Sequence, residues 1–352
     1  MRRVLFFLFF LLLTISVTFA QRVLFVGNSY TAVNDLPAMV SSIAGSMGEN
    51  MTYETSAPGG CTFQNHLTQS AQYIQQGGWD VVVLQEQSQL PSFPYSQFMN
   101  ESYPYAQQLC QMIRQYNPEA RIVLYMTWGR KNGDSQNAQY YPVLGTYEGM
   151  DSLLLARYMQ MAQDNHAQVS PVGVVWHHIR NHYPQIELYQ SDESHPSLYG
   201  TYAAACCFYT VLYQKDPTEI QYTPEIDVQY ADLIRQSAKA VAYDSLNTWL
   251  FIENTDTTQT PDDTVGVGCF TTPSITLYPN PAQEWLYVET PPQYKIDHIR
   301  IFTVEGKEVT FLRPVKIDIN TVDIRNLPSG NYLLEIVRCD GNRYVKQFVK
   351  SR

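Results

Sequence analysis

The feature that most constrains this 352-residue chain is a set of short, unbroken apolar runs separated by helical patterns. Arg22 to Gly27 reads RVLFVG, Asp80 to Leu84 reads DVVVL and Arg121 to Thr127 reads RIVLYMT. A strand buried on one face alternates polar and apolar residues, so continuous runs imply strands covered on both faces. Met51 to Ser56 adds a second strand, and Val169 to Trp176 a fifth strand or strand–helix junction. Helical patterns over 36–47, 65–75, 105–115, 150–165 and 199–213 intervene, with Pro37 well placed in a first turn. Strands alternating with helices predict an α/β fold with a doubly wound parallel sheet in a three-layer sandwich. Ligands are then expected at the carboxyl ends of the strands.

Length predicts two domains at about 100–200 residues each. Before the first strand, Arg2 and Arg3 precede the apolar run Val4 to Val17, and Thr18-Phe19-Ala20 supplies small residues ahead of Gln21. This is the anatomy of a secretory signal peptide over residues 1–20, too short for a stable membrane span. The α/β domain follows over 21–250. Residues 251–273 are rich in Thr and Asp, lack apolar periodicity and read as a linker. From 274 to 352 the pattern changes to short alternating strands at 275–278, 285–289, 298–303, 315–319, 332–338 and 343–349, separated by Pro, Gly and Asn turns. That pattern predicts a small all-β, Ig-like sandwich.

Hydrophobic residues make up 45 % of the chain, ample for a core, and the formal charge of −10 argues against nucleic acid as a partner. No other stretch approaches membrane length, so no transmembrane segment is expected in the mature chain. Cys61, Cys110, Cys206, Cys207, Cys269 and Cys339 are scattered without zinc-ligand spacing, and are expected to be mostly free or opportunistically paired. The 26 Tyr against 15 Phe suit polar, ring-shaped ligands without proving them.

Chemistry points to the strand ends. Ser29 lies on the turn Gly27-Asn28-Ser29-Tyr30 after the first strand, near a helix N-terminus that favours developing negative charge. Taken alone, that turn can equally be a matter of shape. Downstream, Asp192-Glu193-Ser194-His195-Pro196 puts a carboxylate three residues before an imidazole. A serine nucleophile needs an imidazole to take its proton, and the imidazole needs an acceptor that selects its tautomer. The bland alternative is a capping Asp192 and a surface His195. Pro58-Gly59-Gly60 can bring backbone N–H groups to an oxyanion, and Gln85-Glu86-Gln87 can add a side-chain amide. Trp128 and Arg130, after the fourth strand, are placed near the substrate, with a core plug as the alternative for Trp128. Asn28 and Tyr30 complete the expected substrate contacts. His178 and His182, four apart on a helix, have no evident third metal ligand, so neither metal nor cofactor is expected.

In this order the pieces resemble the SGNH (GDSL-type) hydrolases, whose four blocks are a nucleophilic Ser, a Gly, an Asn and a C-terminal Asp-x-x-His. Here the first reads Gly27-Asn28-Ser29, the second Gly59-Gly60 and the last Asp192 to His195. The likeness is closest to a bacterial subgroup, on GNSYT (27–31), WDVVVLQEQS (79–88) and DESHPSLYGTY (192–202), and spans residues 21 to about 215. It implies a flavodoxin-like sandwich, a Ser29–His195–Asp192 triad and an oxyanion hole from Ser29 and Gly60. The third block departs from the pattern: Gln87 falls where the Asn would lie, with Gln85 as a substitute. The C-terminal segment resembles the type A sorting domain of the type IX secretion system, on LYPNPAQEWLYVE (277–289), VEGKEV (304–309) and NLPSGNYLLEIV (326–337). That resemblance implies export through the periplasm and outer membrane of a Gram-negative bacterium, with the secretion machinery as partner of residues 274–352. An ordinary carbohydrate-binding or Ig-like spacer is the alternative for this segment.

The expected function is a secreted serine esterase that deacetylates carbohydrate. Carbohydrate is preferred to lipid because the edge loops are rich in Tyr, Gln and Asn and lack a long apolar lid. The alternatives are a non-catalytic surface glycan-binding protein on the same fold, or an esterase, lipase, thioesterase or peptidase with another substrate.

Overall fold

The computed structural model describes residues 20–251, 275–290, 296–304, 307–312, 319–338 and 343–351. The signal peptide and the linker expected from the sequence lie outside the described residues, apart from their terminal positions 20 and 251. Five strands, β1 (Gln21–Val26), β2 (Met51–Ser56), β3 (Val81–Leu84), β4 (Arg121–Tyr125) and β5 (Gln168–Ser170), pair in parallel in the order β2-β1-β3-β4-β5. Phe25 lies opposite Val83 and Val83 opposite Val123, so the central strands are in matched register. The strand order reverses direction between β1 and β3, which opens a crevice beyond their carboxyl ends.

Alternate residues of each central strand enter different cores, as the two-residue period of a strand requires. Val23, Phe25, Val81, Val83, Val123 and Tyr125 face one core, and Leu24, Val26, Val82, Leu84, Ile122 and Leu124 the other. Among the described residues twelve α-helices occur, in chain order α1 (Ser29–Ala32), α2 (Leu36–Ser46), α3 (Phe63–Gln69), α4 (Ala71–Gln75), α5 (Tyr95–Glu101), α6 (Tyr103–Tyr116), α7 (Ser135–Ala138), α8 (Tyr147–Asp164), α9 (Val172–His182), α10 (Leu198–Tyr213), α11 (Val228–Ala238) and α12 (Leu246–Leu250). Helices α2, α9, α10 and α11 cover the first face, while α3 to α6 and α8 cover the second. The sheet is therefore the middle of three layers.

Of the two readings of 169–176, the strand–helix junction holds: β5 ends at Ser170, and after Pro171 the chain turns into α9, whose Val172, Val175, Trp176 and Ile179 follow helical spacing and are all buried. Other elements differ from the sequence expectation. The helix expected over 65–75 is two helices that meet at Ser70, whose hydroxyl bonds the buried His66 ring and Ser56. Helices α11 and α12 occupy a stretch that the sequence left without an element.

The C-terminal residues form two antiparallel sheets around one core that includes Leu286, Val288, Ile299, Ile301, Leu334, Ile336 and Phe348. One sheet holds β6 (Thr276–Tyr278), β7 (Trp285–Glu289) and β10 (Ile319–Asp323). The other holds β8 (Ile296–Thr303), β9 (Glu308–Leu312), β11 (Gly330–Arg338) and β12 (Arg343–Lys350). Of the strand expected over 315–319, only residue 319 lies among the described residues, where β10 begins, and β9 was not anticipated.

Trp176 is fully buried and stacks on Trp128 with ring centroids 3.7 Å apart. Trp176→Ala is expected to cost about 3–5 kcal/mol. Urea denaturation checks this through a lower midpoint at unchanged slope.

Candidate active site

The nucleophile candidate sits on a turn that buried amides build. Gly27 lacks a side chain because an added Cβ would lie 2.3 Å from Thr31 Oγ1. Asn28 is buried, and its Oδ1 accepts from the Tyr30 N–H at 3.2 Å, capping α1. Gln85, at the end of β3, interlocks with it: Gln85 Oε1 accepts from the Asn28 N–H at 3.0 Å and from Thr31 Oγ1 at 2.9 Å. Gln85 Nε2 returns a bond to Asn28 Oδ1 at 2.9 Å and another to the Glu86 carbonyl at 2.6 Å. Ser29 is left half-buried at the head of the turn.

The loop before α10 brings the candidate base. Ser29 Oγ lies 2.9 Å from His195 Nε2, and His195 Nδ1 lies 2.5 Å from Asp192 Oδ2. A carboxylate only accepts, so Nδ1 carries the proton and Nε2 is free to accept from Ser29. Asp192 Oδ1 also accepts from the backbone N–H groups of Ser194 at 3.1 Å and His195 at 2.9 Å. Burial opposes its charge, but the His195 ring and these two N–H groups prevail and hold the Asp192 carboxyl below its ordinary value. Glu193 takes a left-handed backbone with φ 60°, an uncommon state for a residue with a side chain. Its carbonyl accepts from the Lys131 N–H at 2.9 Å, which ties the loop to the strand end of β4.

An aromatic stack lies behind the histidine. Trp128 is fully buried, stacks on Tyr30 at 4.7 Å, and donates from Nε1 to the Ser194 carbonyl at 3.1 Å. Tyr30 bonds the Ser194 hydroxyl at 2.6 Å and meets the His195 ring edge to face at 5.3 Å. Of the two expectations for Trp128, a place near the substrate or a core plug, the structure shows the core plug, because Trp176 of α9 covers its outer face. Asn28 is likewise corrected: it borders the cleft, but its side-chain amide is spent on Tyr30, Gln85 and the Cys61 carbonyl.

Ser29, Tyr30, Gly60, Gln87, Arg130 and His195 line a cleft of about 260 Å³. Gly60 has φ +68°, which the absence of a Cβ permits. Gln87 is half-buried, with Oε1 accepting from the Gln89 N–H at 2.8 Å and the Leu90 N–H at 3.1 Å. Its Nε2 donates one hydrogen to Gln89 Oε1 at 3.1 Å, and an amide carries a second. Gln85 was expected as the substitute oxyanion donor. Its amide hydrogens are instead both engaged in the nucleophile turn, and it does not line the cleft. Arg130 pairs with the buried Asp134 at 3.3 Å, and Gln89 donates to that carboxylate at 2.6 Å.

Glu86 was passed over in the sequence, although a lone acid between two amides at the end of an apolar strand is a readable signal. It is fully buried, accepting from the N–H groups of Phe63 at 2.8 Å and Gln87 at 2.7 Å and from the Ser102 hydroxyl at 2.8 Å. Burial disfavours its charge more than these bonds favour it, and its pKa is pushed up to about 7. His178 and His182 stack at 4.2 Å, and His182 Nδ1 lies 2.9 Å from the His178 carbonyl. No group of three candidate metal ligands occurs among the described residues. Cys61, Cys110, Cys206 and Cys207 are free and buried, whereas Cys269 and Cys339 lie outside the described residues.

Residues 276–351 match the family described as the secretion system C-terminal sorting domain, in agreement with the resemblance read from the sequence. No helix among the described residues is long and apolar enough to cross a membrane. No curated protein matches the chain. Among solved structures, a DUF4886 family protein from Bacteroides uniformis is similar with a TM-score of 0.55 at 18% identity, over 64% of this chain and 95% of that one. This likeness establishes a shared fold. A lipase/acylhydrolase from Enterococcus faecalis aligns with a TM-score of 0.40 at 16% identity, over 54% of this chain and 93% of its own. An acetylxylan esterase from Geobacillus stearothermophilus aligns with a TM-score of 0.40 at 17% identity, over 53% and 92%.

The raised pKa of Glu86 has a consequence for stability. In the unfolded chain this carboxyl ionises near its ordinary value of 4.5, whereas in the folded protein it ionises near 7. The folded state therefore binds more protons across that window, and the contribution of this group to stability falls as pH rises through it. Glu86→Gln cannot ionise, so its Tm relative to the unaltered protein is expected to rise between pH 5 and pH 8. A constant difference across that range would contradict the assignment.

Proposed function

We propose that residues 21–250 form a serine esterase that removes acetyl groups from carbohydrate. In this reading a signal peptide at 1–20 directs the chain to the periplasm. A linker over 251–273 joins the enzyme to the sorting unit at 274–352, which hands the protein to the type IX machinery for release or surface attachment. The observation that carries the catalytic reading is the unbroken relay from Asp192 through His195 to Ser29, at 2.5 and 2.9 Å, opening on a cleft at the carboxyl edge of the sheet. A purely glycan-binding protein has no need of a serine within bonding distance of an oriented imidazole.

Ser29 Oγ attacks the ester carbonyl as His195 Nε2 takes its proton. Asp192 stabilises the imidazolium. The backbone N–H groups of Ser29 and Gly60 and the Gln87 amide hold the oxyanion. Collapse breaks the bond to the sugar oxygen, which takes the proton from His195 and leaves as the hydroxyl. Water, deprotonated by the same imidazole, then releases acetate from Ser29. The small cleft supports a short acyl group. Its lining by Tyr30, Gln87 and Arg130 supports a polar, hydroxyl-rich alcohol over a lipid tail.

Acetate release from p-nitrophenyl acetate and a panel of acetylated glycans tests this reading. Ser29→Ala is expected to fall to background while remaining folded. Asp192→Asn, which loses the acceptor that selects the tautomer, is expected to lower kcat by about 10³–10⁴. Turnover that persists in Ser29→Ala would sink the assignment, and release from simple esters alone would sink the carbohydrate substrate.

A further inference from the structure

Glu86 takes no part in the proton relay, yet it bonds Phe63, Gln87 and Ser102 and, through Gln85, the turn that carries Ser29. One carboxylate oxygen, Oε1, accepts from both the Phe63 N–H at 2.8 Å and the Gln87 N–H at 2.7 Å. The other oxygen accepts from Ser102, between α5 and α6. The backbone carbonyl of Glu86 receives Gln85 Nε2 at 2.6 Å, and Gln85 in turn holds the Asn28 turn. Phe63 opens α3, so its N–H has no partner within that helix. The cap residue Thr62 serves the Asn65 N–H instead. A buried N–H without an acceptor is costly, so Glu86 decides where this loop sits. Gly60 lies three residues upstream of Phe63 and directly before Cys61, whose carbonyl accepts from Asn28 Nδ2 at 3.0 Å.

We propose that Glu86 is the positioning residue of the oxyanion donors, its single shared oxygen setting the Gly60 loop and Gln87 at a common distance from Ser29. The inference rests on the esterase reading of this cleft and adds the group that holds its electrostatic half in place. What the site needs from Glu86 is an acceptor at a fixed reach. A carboxylate behind an oxyanion hole contributes repulsion rather than attraction, so its charge does not explain its presence there. Gln offers the same acceptor at the same reach, and its amide can donate to Ser102. Asp keeps the charge but falls short by about 1.5 Å, one carbon–carbon bond, and cannot serve both N–H groups.

The test is steady-state hydrolysis of p-nitrophenyl acetate by the full chain carrying Glu86→Asp, Glu86→Gln or Ser29→Ala, with folding of each followed by circular dichroism. Glu86→Asp is expected to lower kcat by about 10- to 100-fold, less than outright loss of one oxyanion donor, with KM within about twofold. Glu86→Gln is expected to stay within about threefold of the unaltered protein in both constants. An unchanged kcat in Glu86→Asp, a loss confined to KM, or an equal fall in Glu86→Gln would overturn the proposal. If Glu86→Asp does not fold, Glu86→Gln alone decides: retained turnover supports positioning by geometry, and a loss of tenfold or more overturns it. Turnover that survives Ser29→Ala overturns the esterase reading and the inference with it. Turnover that Ser29→Ala abolishes and Glu86→Asp retains overturns the inference alone.

Discussion

A sheet buried on both faces must satisfy its backbone within itself, and the placement of every group near Ser29 depends on that constraint. Parallel pairing of β1, β3 and β4 spends the backbone groups of these strands on one another and leaves no edge between them for water. Because the strands run the same way, their carboxyl ends share one rim. The segments that follow, 27–31, 85–90 and 127–134, therefore meet without further instruction. The return loop 189–196 reaches the same rim, held by the Lys131 to Glu193 backbone bond and by Trp128.

At that rim the structure changes from apolar packing to a dense set of buried hydrogen bonds. Asn28, Gln85 and Glu86 are 2 %, 0 % and 0 % exposed, and each uses its side chain on neighbouring loops. Such a set is costly if half satisfied and rigid if complete. Here the bonds run from the nucleophile turn through Gln85 to Glu86, and from Glu86 to the Gly60 loop and Gln87. The base side is held differently. Trp176, Trp128 and Tyr30 form an aromatic stack, and two polar tips of that stack, Trp128 Nε1 and Tyr30 Oη, meet Ser194 next to His195. Aromatic stacking backs the His195 loop, and buried side-chain hydrogen bonds, those of the Glu86 carboxylate included, hold the segments beside Gly60 and Gln87.

Much of this was legible in the chain. Unbroken apolar runs specify buried strands, so the parallel sheet and the rim shared by its carboxyl ends followed from pattern alone. The meeting of Ser29, His195 and Asp192 was legible because a serine hydroxyl at a strand end calls for an imidazole with an acceptor behind it, and Asp-x-x-His places two of the three together. The roles of Gln85 and Asn28 were misread, and that of Trp128 was left open, for one shared reason. Sequence placed them at the rim, but a side chain at a rim can point into the cleft or away from it, and local spacing carries no information on that choice. Glu86 was overlooked from the opposite cause: an acid after an apolar strand reads as exposed until the helices that bury it are in place.

The sequence by itself determined the three-layer architecture, the second β unit with its sorting motifs and the residue types available at the rim. These depend on periodicity and composition, which are local. Only the tertiary structure decided which polar groups face the cleft and which are consumed in building it. That division depends on partners as distant as Asn28 and Gln85 or Tyr30 and Ser194, and on burial that removes water as an alternative partner. The distinction between a donor that serves the cleft and one that serves the fold is therefore a property of long-range hydrogen bonding, written in no short stretch of the chain.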